Sequence, residues 1–107
     1  MTVYEFLDRV ERFYISQRKP IEPHGTPFAK DRFGQRCEPD GGDAVRWCVM
    51  GSSCKLREEL PVSPSVADLA DTLIYASFNR REIMALPNTP ERGLAIIRRA
   101  KDLARSA

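Results

Sequence analysis

Half of the eight prolines and four of the six glycines in this 107-residue chain fall between positions 18 and 42. Proline has no amide hydrogen and its ring collides with the preceding helical turn, so Pro20, Pro23, Pro27 and Pro39 forbid a continuous helix there. Gly25, Gly34, Gly41 and Gly42 punctuate turns. The segment therefore has to be a set of extended arms and turns inserted between stretches that carry helical periodicity. Phe28 and Phe33 are its apolar anchors, and Asp31 to Gly34 mark the turn of a short β-ribbon within residues 20–38. Pro39-Asp40-Gly41-Gly42 marks a second turn, after which Asp43 is expected to cap a helix. A ribbon this small is not stable alone and must lie on the helices.

The flanking segments read as four helices, roughly 2–17, 43–59, 64–79 and 90–105, giving a mainly α (α+β) bundle in one domain spanning 1–107. Thr2 and Glu5 form a capping box, and Val3, Phe6, Leu7, Val10, Phe13 and Tyr14 recur at helical spacing. Glu5–Arg9 and Asp8–Arg12 are i,i+4 pairs on the polar side. In the second helix Ala44, Val45, Trp47, Cys48, Val49 and Met50 are apolar on nearly every side, which predicts burial of its first half. Gly51 costs about 1 kcal/mol inside a helix relative to alanine, so it marks a close approach by a neighbouring helix or by the ribbon. Ser63-Pro64 starts the third helix, whose inward stripe is Val66, Leu69, Ala70, Leu73, Ile74 and Ser77. Asn79 is expected to end it in a left-handed turn. Ile83 to Leu86 form an apolar link, and Thr89-Pro90-Glu91 starts the last helix, with Leu94, Ile97, Ala100, Leu103 and Ala104 inward.

Charge narrows the function classes little. Seventeen basic and fifteen acidic residues leave a net +2, mixed along most of the chain. The last helix holds Arg92, Arg98, Arg99, Lys101 and Arg105 against Glu91 and Asp102, which reads as a solvated basic face suited to a helix C-terminus. Glu5, Asp8, Arg9 and Glu11 interrupt the first apolar residues, unlike a signal peptide, and no run nears the roughly 20 apolar residues of a membrane span. A cytoplasmic protein with reduced cysteines is the expectation, with no membrane partner.

Taken in order, the amphipathic first helix, Ala29-Lys30-Asp31-x-x-Gly34, Ala44-x-Arg46-Trp47-Cys48-x-x-Gly51 and Leu86-Pro87-Asn88-Thr89-Pro90 resemble a family of uncharacterised small proteins of bacteria and their phages. Members typically carry Trp-Cys-x-x-Gly-Ala, and Asn-Asp-x-x-Gly ahead of the last helix. Here Ser52 replaces that alanine and Pro87-Asn88 replaces the Asn-Asp pair. The resemblance implies a shared fold and a phage or prophage origin, and it brings no catalytic assignment.

Three chemistries compete for the same residues. A thiolate nucleophile needs a helix N-terminus or an imidazole. Cys48 lies within about two turns of the expected helix start, and His24 is the only histidine, so a cysteine-dependent hydrolase or transferase is one alternative. Trp47, Val49 and Met50 instead predict an apolar setting that keeps the thiol protonated, which favours a structural cysteine. His24, Cys37, Cys48 and Cys54 lack the closely spaced ligand pairs of structural zinc sites, so no metal or cofactor is expected. Asp31, Asp40 and Asp43 read as turn formers. Lys30, Arg32 and Arg36 with Phe28 and Phe33 make a basic-aromatic ribbon, compatible with a weak nucleic-acid-binding module. They are equally compatible with aromatics packed inward and charges in water.

The favoured reading is a small interaction protein of phage or prophage type that binds a host or phage protein without catalysis. Lys30, Asp31, Arg32 and Arg36 are its binding candidates on the ribbon. Gly34, Trp47, Cys48 and Gly51 form a structural signature, and a homodimer is compatible with so small a chain.

Overall fold

The computed structural model describes residues 1–106, and its first element follows directly from local chemistry. Helix α1 (Val3–Ser16) begins at Thr2, whose hydroxyl accepts from the Glu5 amide while the Glu5 carboxylate accepts from the Thr2 amide. Phe6, Leu7, Val10 and Tyr14 are fully enclosed on its inner face. Tyr14 Oη donates to the Ile21 carbonyl at 2.6 Å, tying the helix to the chain that leaves it.

Three strands follow: β1 (Ala29–Asp31), β2 (Arg36–Cys37) and β3 (Ala44–Trp47). They form an antiparallel sheet in the order β2-β1-β3, with Lys30 opposite Arg36 on one side and Arg46 on the other. A bulge falls between Lys30 and Asp31. The ribbon and its turn lie where the prolines and glycines place them, with Gly34 at φ 79°. The third strand corrects the expected helix over 43–59. Helix α2 runs only from Val49 to Glu59, and Ala44–Trp47 is extended. Residue type is the reason: Val45 and Trp47 are apolar with Arg46 between them, a period of two, and β-branched and aromatic residues favour strands. Asp43 accordingly caps nothing and lies exposed ahead of β3. Cys48 caps α2 instead, its Sγ accepting from the Gly51 amide at 3.3 Å.

Helices α3 (Pro64–Phe78), α4 (Arg81–Met84) and α5 (Pro90–Ser106) complete the chain. Ser63 Oγ accepts from the Val66 amide, as its position before Pro64 requires. The inward face of α3 is turned slightly from expectation: Ala67, Ala70, Ile74 and Ser77 are buried, and Leu69 is exposed. Asn79 ends α3 at φ −95°, not in a left-handed turn, and the chain passes into α4 through an extended Arg80. The link over 83–86 is thus partly helical. On α5, Gly93, Ile96, Ile97 and Ala100 are buried. Gly93 has no room for a side chain, because a Cβ there would overlap the Tyr14 hydroxyl. One apolar cluster joins α1, α2, α3 and α5 to the start of the ribbon at Ile21.

Two cations on the basic face of α5, Arg98 and Lys101, are paired with acids, while Arg98 and Arg105 remain exposed. Lys101 Nζ lies 2.7 Å from Asp8 and 2.6 Å from Glu11, and Arg98 Nε lies 3.0 Å from Glu11. Arg105 donates to Tyr4 Oη. The acids paired with Arg98 and Lys101 come from α1, at the opposite end of the chain. Across the α2–α3 seam, Ser53 Oγ donates to Asp71, and Arg57 bridges Asp68 and Asp71. No helix among the described residues is long and apolar enough to cross a membrane.

Candidate functional site

The ribbon's turn is built by Asp31. Its Oδ1 accepts from the amides of Phe33 and Gln35, both at 2.9 Å, and its carbonyl accepts from the Gly34 amide. A carboxylate that satisfies two amides of a tight turn fixes the tip without help from the core. Phe33, expected as an inward anchor, is 73% exposed on this tip, with the Arg32 guanidinium 4.8 Å from its ring centroid. The hairpin's geometry explains the reversal: Phe33 sits inside the turn, beyond the last pair of the ladder, where nothing from the helices reaches. A shallow cleft of about 460 Å³ runs beside it, lined by Asp31, Arg32, Phe33, Gly42, Asp43 and Val45.

The four binding candidates therefore separate. Asp31 is a turn residue and Arg32 covers Phe33. Lys30 and Arg36 are direct cross-strand partners on one face of the sheet, and Arg46 extends their row across β3. Ala29 and Trp47, on the other face, are buried. Phe28 joins the cationic face, with Arg36 Cζ 4.9 Å and Lys30 Nζ 5.9 Å from its ring centroid. The His24 ring stacks on Phe28 at 4.2 Å and 5°. Sequence periodicity hides Arg46, because Ala44–Trp47 fits a buried helix; the signal that finds it is the apolar–polar–apolar alternation of Val45, Arg46 and Trp47.

Behind this face lies the junction of sheet and helices. Cys48 is fully buried, its thiol directed at the Thr26 carbonyl at 3.7 Å and its amide donating to Phe28 O at 3.0 Å. Burial pushes the Cys48 thiol above its ordinary pKa, and hydrogen bonds led by the Gly51 amide only partly oppose this. The imidazole of His24 is engaged with Phe28 and lies 3.8 Å from Glu22, and it is not among the hydrogen-bond partners of Cys48 Sγ. Gly51 is the point of close approach: a Cβ there would overlap the Phe28 carbonyl oxygen and lie 3.1 Å from its carbon. The ribbon crosses α2 at this glycine. Trp47 donates from Nε1 to Pro39 O at 2.7 Å and packs edge-on to Phe13.

Gln17 has a part that no local pattern announced. Its carboxamide accepts from the Trp47 amide at 2.7 Å and donates to the Trp47 carbonyl at 3.2 Å, imitating a neighbouring strand. The Ile21 amide adds a third bond to the same carbonyl. Together they cover the Trp47 end of the outer edge of β3, where pairing with another chain could otherwise start.

The three cysteines are free thiols. Burial and the nearby Asp31, Asp43 and Glu38 raise the Cys37 pKa, and burial with Asp40 and Asp71 raises that of Cys54. Among the described residues, no three His, Cys, Asp or Glu side chains gather closely enough to hold a metal ion. Comparison with protein-family models, with curated proteins and with solved structures finds no match to this chain.

Proposed function

We propose that this is a binding protein that engages a partner protein of its host or phage through the ribbon tip, without chemistry of its own. The observation that carries this reading is Phe33: an aromatic ring, 73% exposed, on a turn held rigid by Asp31 and Gly34. Aromatic side chains on preorganised backbone are the commonest anchors of protein interfaces, because little ordering entropy remains to be lost on binding. Val45, half exposed beside the same cleft, widens the apolar contact. Arg32 and Asp43 supply a polar rim of both signs.

The test compares affinity capture from host lysate by the native protein and by Phe33→Ala. Because Phe33 touches little of its own chain, the substitution should leave stability within about 0.5 kcal/mol. A specific protein retained by the native chain and lost with Phe33→Ala is the expected result. Capture unchanged by that substitution would place the interface elsewhere and end this reading.

A further inference from the structure

The cations of this molecule are distributed unevenly. Outside residues 18–46, six of eleven cations (Arg12, Lys55, Arg57, Arg80, Arg98 and Lys101) sit within 4.0 Å of a carboxylate. Every basic residue from position 18 to 46, namely Arg18, Lys19, Lys30, Arg32, Arg36 and Arg46, has no such partner among the described residues. Three of them, Arg36, Lys30 and Arg46, stand in direct register across the strands of one sheet face. Like charges placed opposite one another destabilise a sheet, so this row works against the fold that carries it. Arg46 Nε donates to the Lys19 carbonyl, which brings the basic pair Arg18-Lys19 to the same edge. An anion is what such a row lacks.

We propose that this open sheet face binds single-stranded nucleic acid, with Arg36, Lys30 and Arg46 meeting backbone phosphates and the His24 ring, seated on Phe28, stacking a base. The row spans three strands, about 10 Å from end to end, which matches a few nucleotides of extended backbone. The His24 side chain is 36% exposed while its inner face rests on Phe28, so a ring face remains for stacking. Base stacking beside a cationic track is the arrangement by which proteins hold unpaired strands. A duplex fits less well, because its bases are already stacked and no helix or long ribbon projects from this face to enter a groove. An acidic peptide adding as a strand finds little edge: Gln17 and Ile21 occupy the Trp47 end of β3, and β2 has two residues. Glu22, whose carboxylate lies 3.8 Å from His24, is an acid beside the stacking ring. The inference is independent of the Phe33 tip, since it uses other residues.

The test is fluorescence anisotropy of a labelled oligothymidylate of about ten nucleotides, titrated with the whole protein up to roughly 100 μM at about 50 mM salt. Saturable binding is expected, with affinity falling about 100-fold for a tenfold rise in salt, the slope for some three phosphate contacts on a single strand. Lys30→Gln and Arg36→Gln should each weaken binding and flatten that slope, and Arg98→Gln on α5 and Phe33→Ala should change neither. No anisotropy change over the titration would overturn the proposal, as would binding indifferent to salt or to both substitutions together. Tighter binding of a duplex would also overturn it. Equal competition by a glutamate peptide of the same length would reassign the face to an acidic protein. The salt slope of the native protein needs no variant, so a folding defect in one of them leaves the test intact.

Discussion

Gly51 shows how one missing side chain can hold two layers together. Alanine is favoured over glycine inside a helix by about 1 kcal/mol, but here its methyl would strike the Phe28 backbone, which accepts the Cys48 amide. No rotamer relieves a collision with main chain, and overpacking costs about 1–3 kcal/mol or more. Gly51→Ala should therefore destabilise by about 2 kcal/mol net, read as a lower urea midpoint with unchanged slope. Gly42→Ala, where a Cβ meets open space, should stay within about 0.5 kcal/mol. Equal midpoints for the two variants would refute the close approach. That Gly51 marked a crossing was legible in the sequence, from its place beside an apolar run. That the crossing element is the backbone of Phe28 was not, because nothing local relates residues 28 and 51.

At the scale of elements, α1 and α5 are joined by a charged seam whose sign can be followed with pH. Lys101 leads in lowering the Asp8 pKa. Burial pushes Glu11 up, but Lys101 and Arg98 more than offset it, so its carboxyl also lies below its ordinary value. A folded pKa below the unfolded one means stability that is complete above the unfolded values, about 3.9 and 4.3, and lost as pH falls through the folded ones. Asp71 has the opposite sign, since burial raises its pKa despite Ser53 and Arg57, and it partly offsets that loss. Urea midpoints should fall as pH drops from about 5 towards 3, and Glu11→Gln should flatten the fall. The same substitution should cost about 1–2 kcal/mol at neutral pH. A pH profile identical in the variant would show that the seam contributes nothing. The seam was invisible in the sequence, because Arg98 and Lys101 find their acids some ninety positions away.

For the whole molecule, Cys48 reports on cooperativity. It is fully enclosed in the cluster shared by α1, α2, α3 and α5, with its thiol held in the protonated form by burial. Thiolate is the reactive species, so alkylation requires both access and ionisation. Iodoacetamide should modify Cys37 and Cys54, each partly accessible, in the native protein, and reach Cys48 only at the rate of global unfolding. Rapid native-state labelling of Cys48 would contradict its enclosure and restore a cysteine-based reaction with His24 as a reading.

Residue order alone decided where the chain leaves helix, through the prolines and glycines of 18–42. It also decided where α1 and α3 begin, through Thr2-Glu5 and Ser63-Pro64, and where the hairpin turns, through Asp31 and Gly34. Each of these is settled by groups within a few positions of one another. Ala44 to Met50 was ambiguous, because a short apolar run fits a buried helix as well as a strand leading into a helix cap. Only pairing with β1 made it a strand, and that pairing placed Arg46 beside Lys30 and left Phe33 in solvent. Burial and charge pairing are properties of surfaces brought together from distant positions. Tertiary structure alone therefore decided that Arg98 and Lys101 of α5 would find acids and that the sheet face would be left with its cations unpaired.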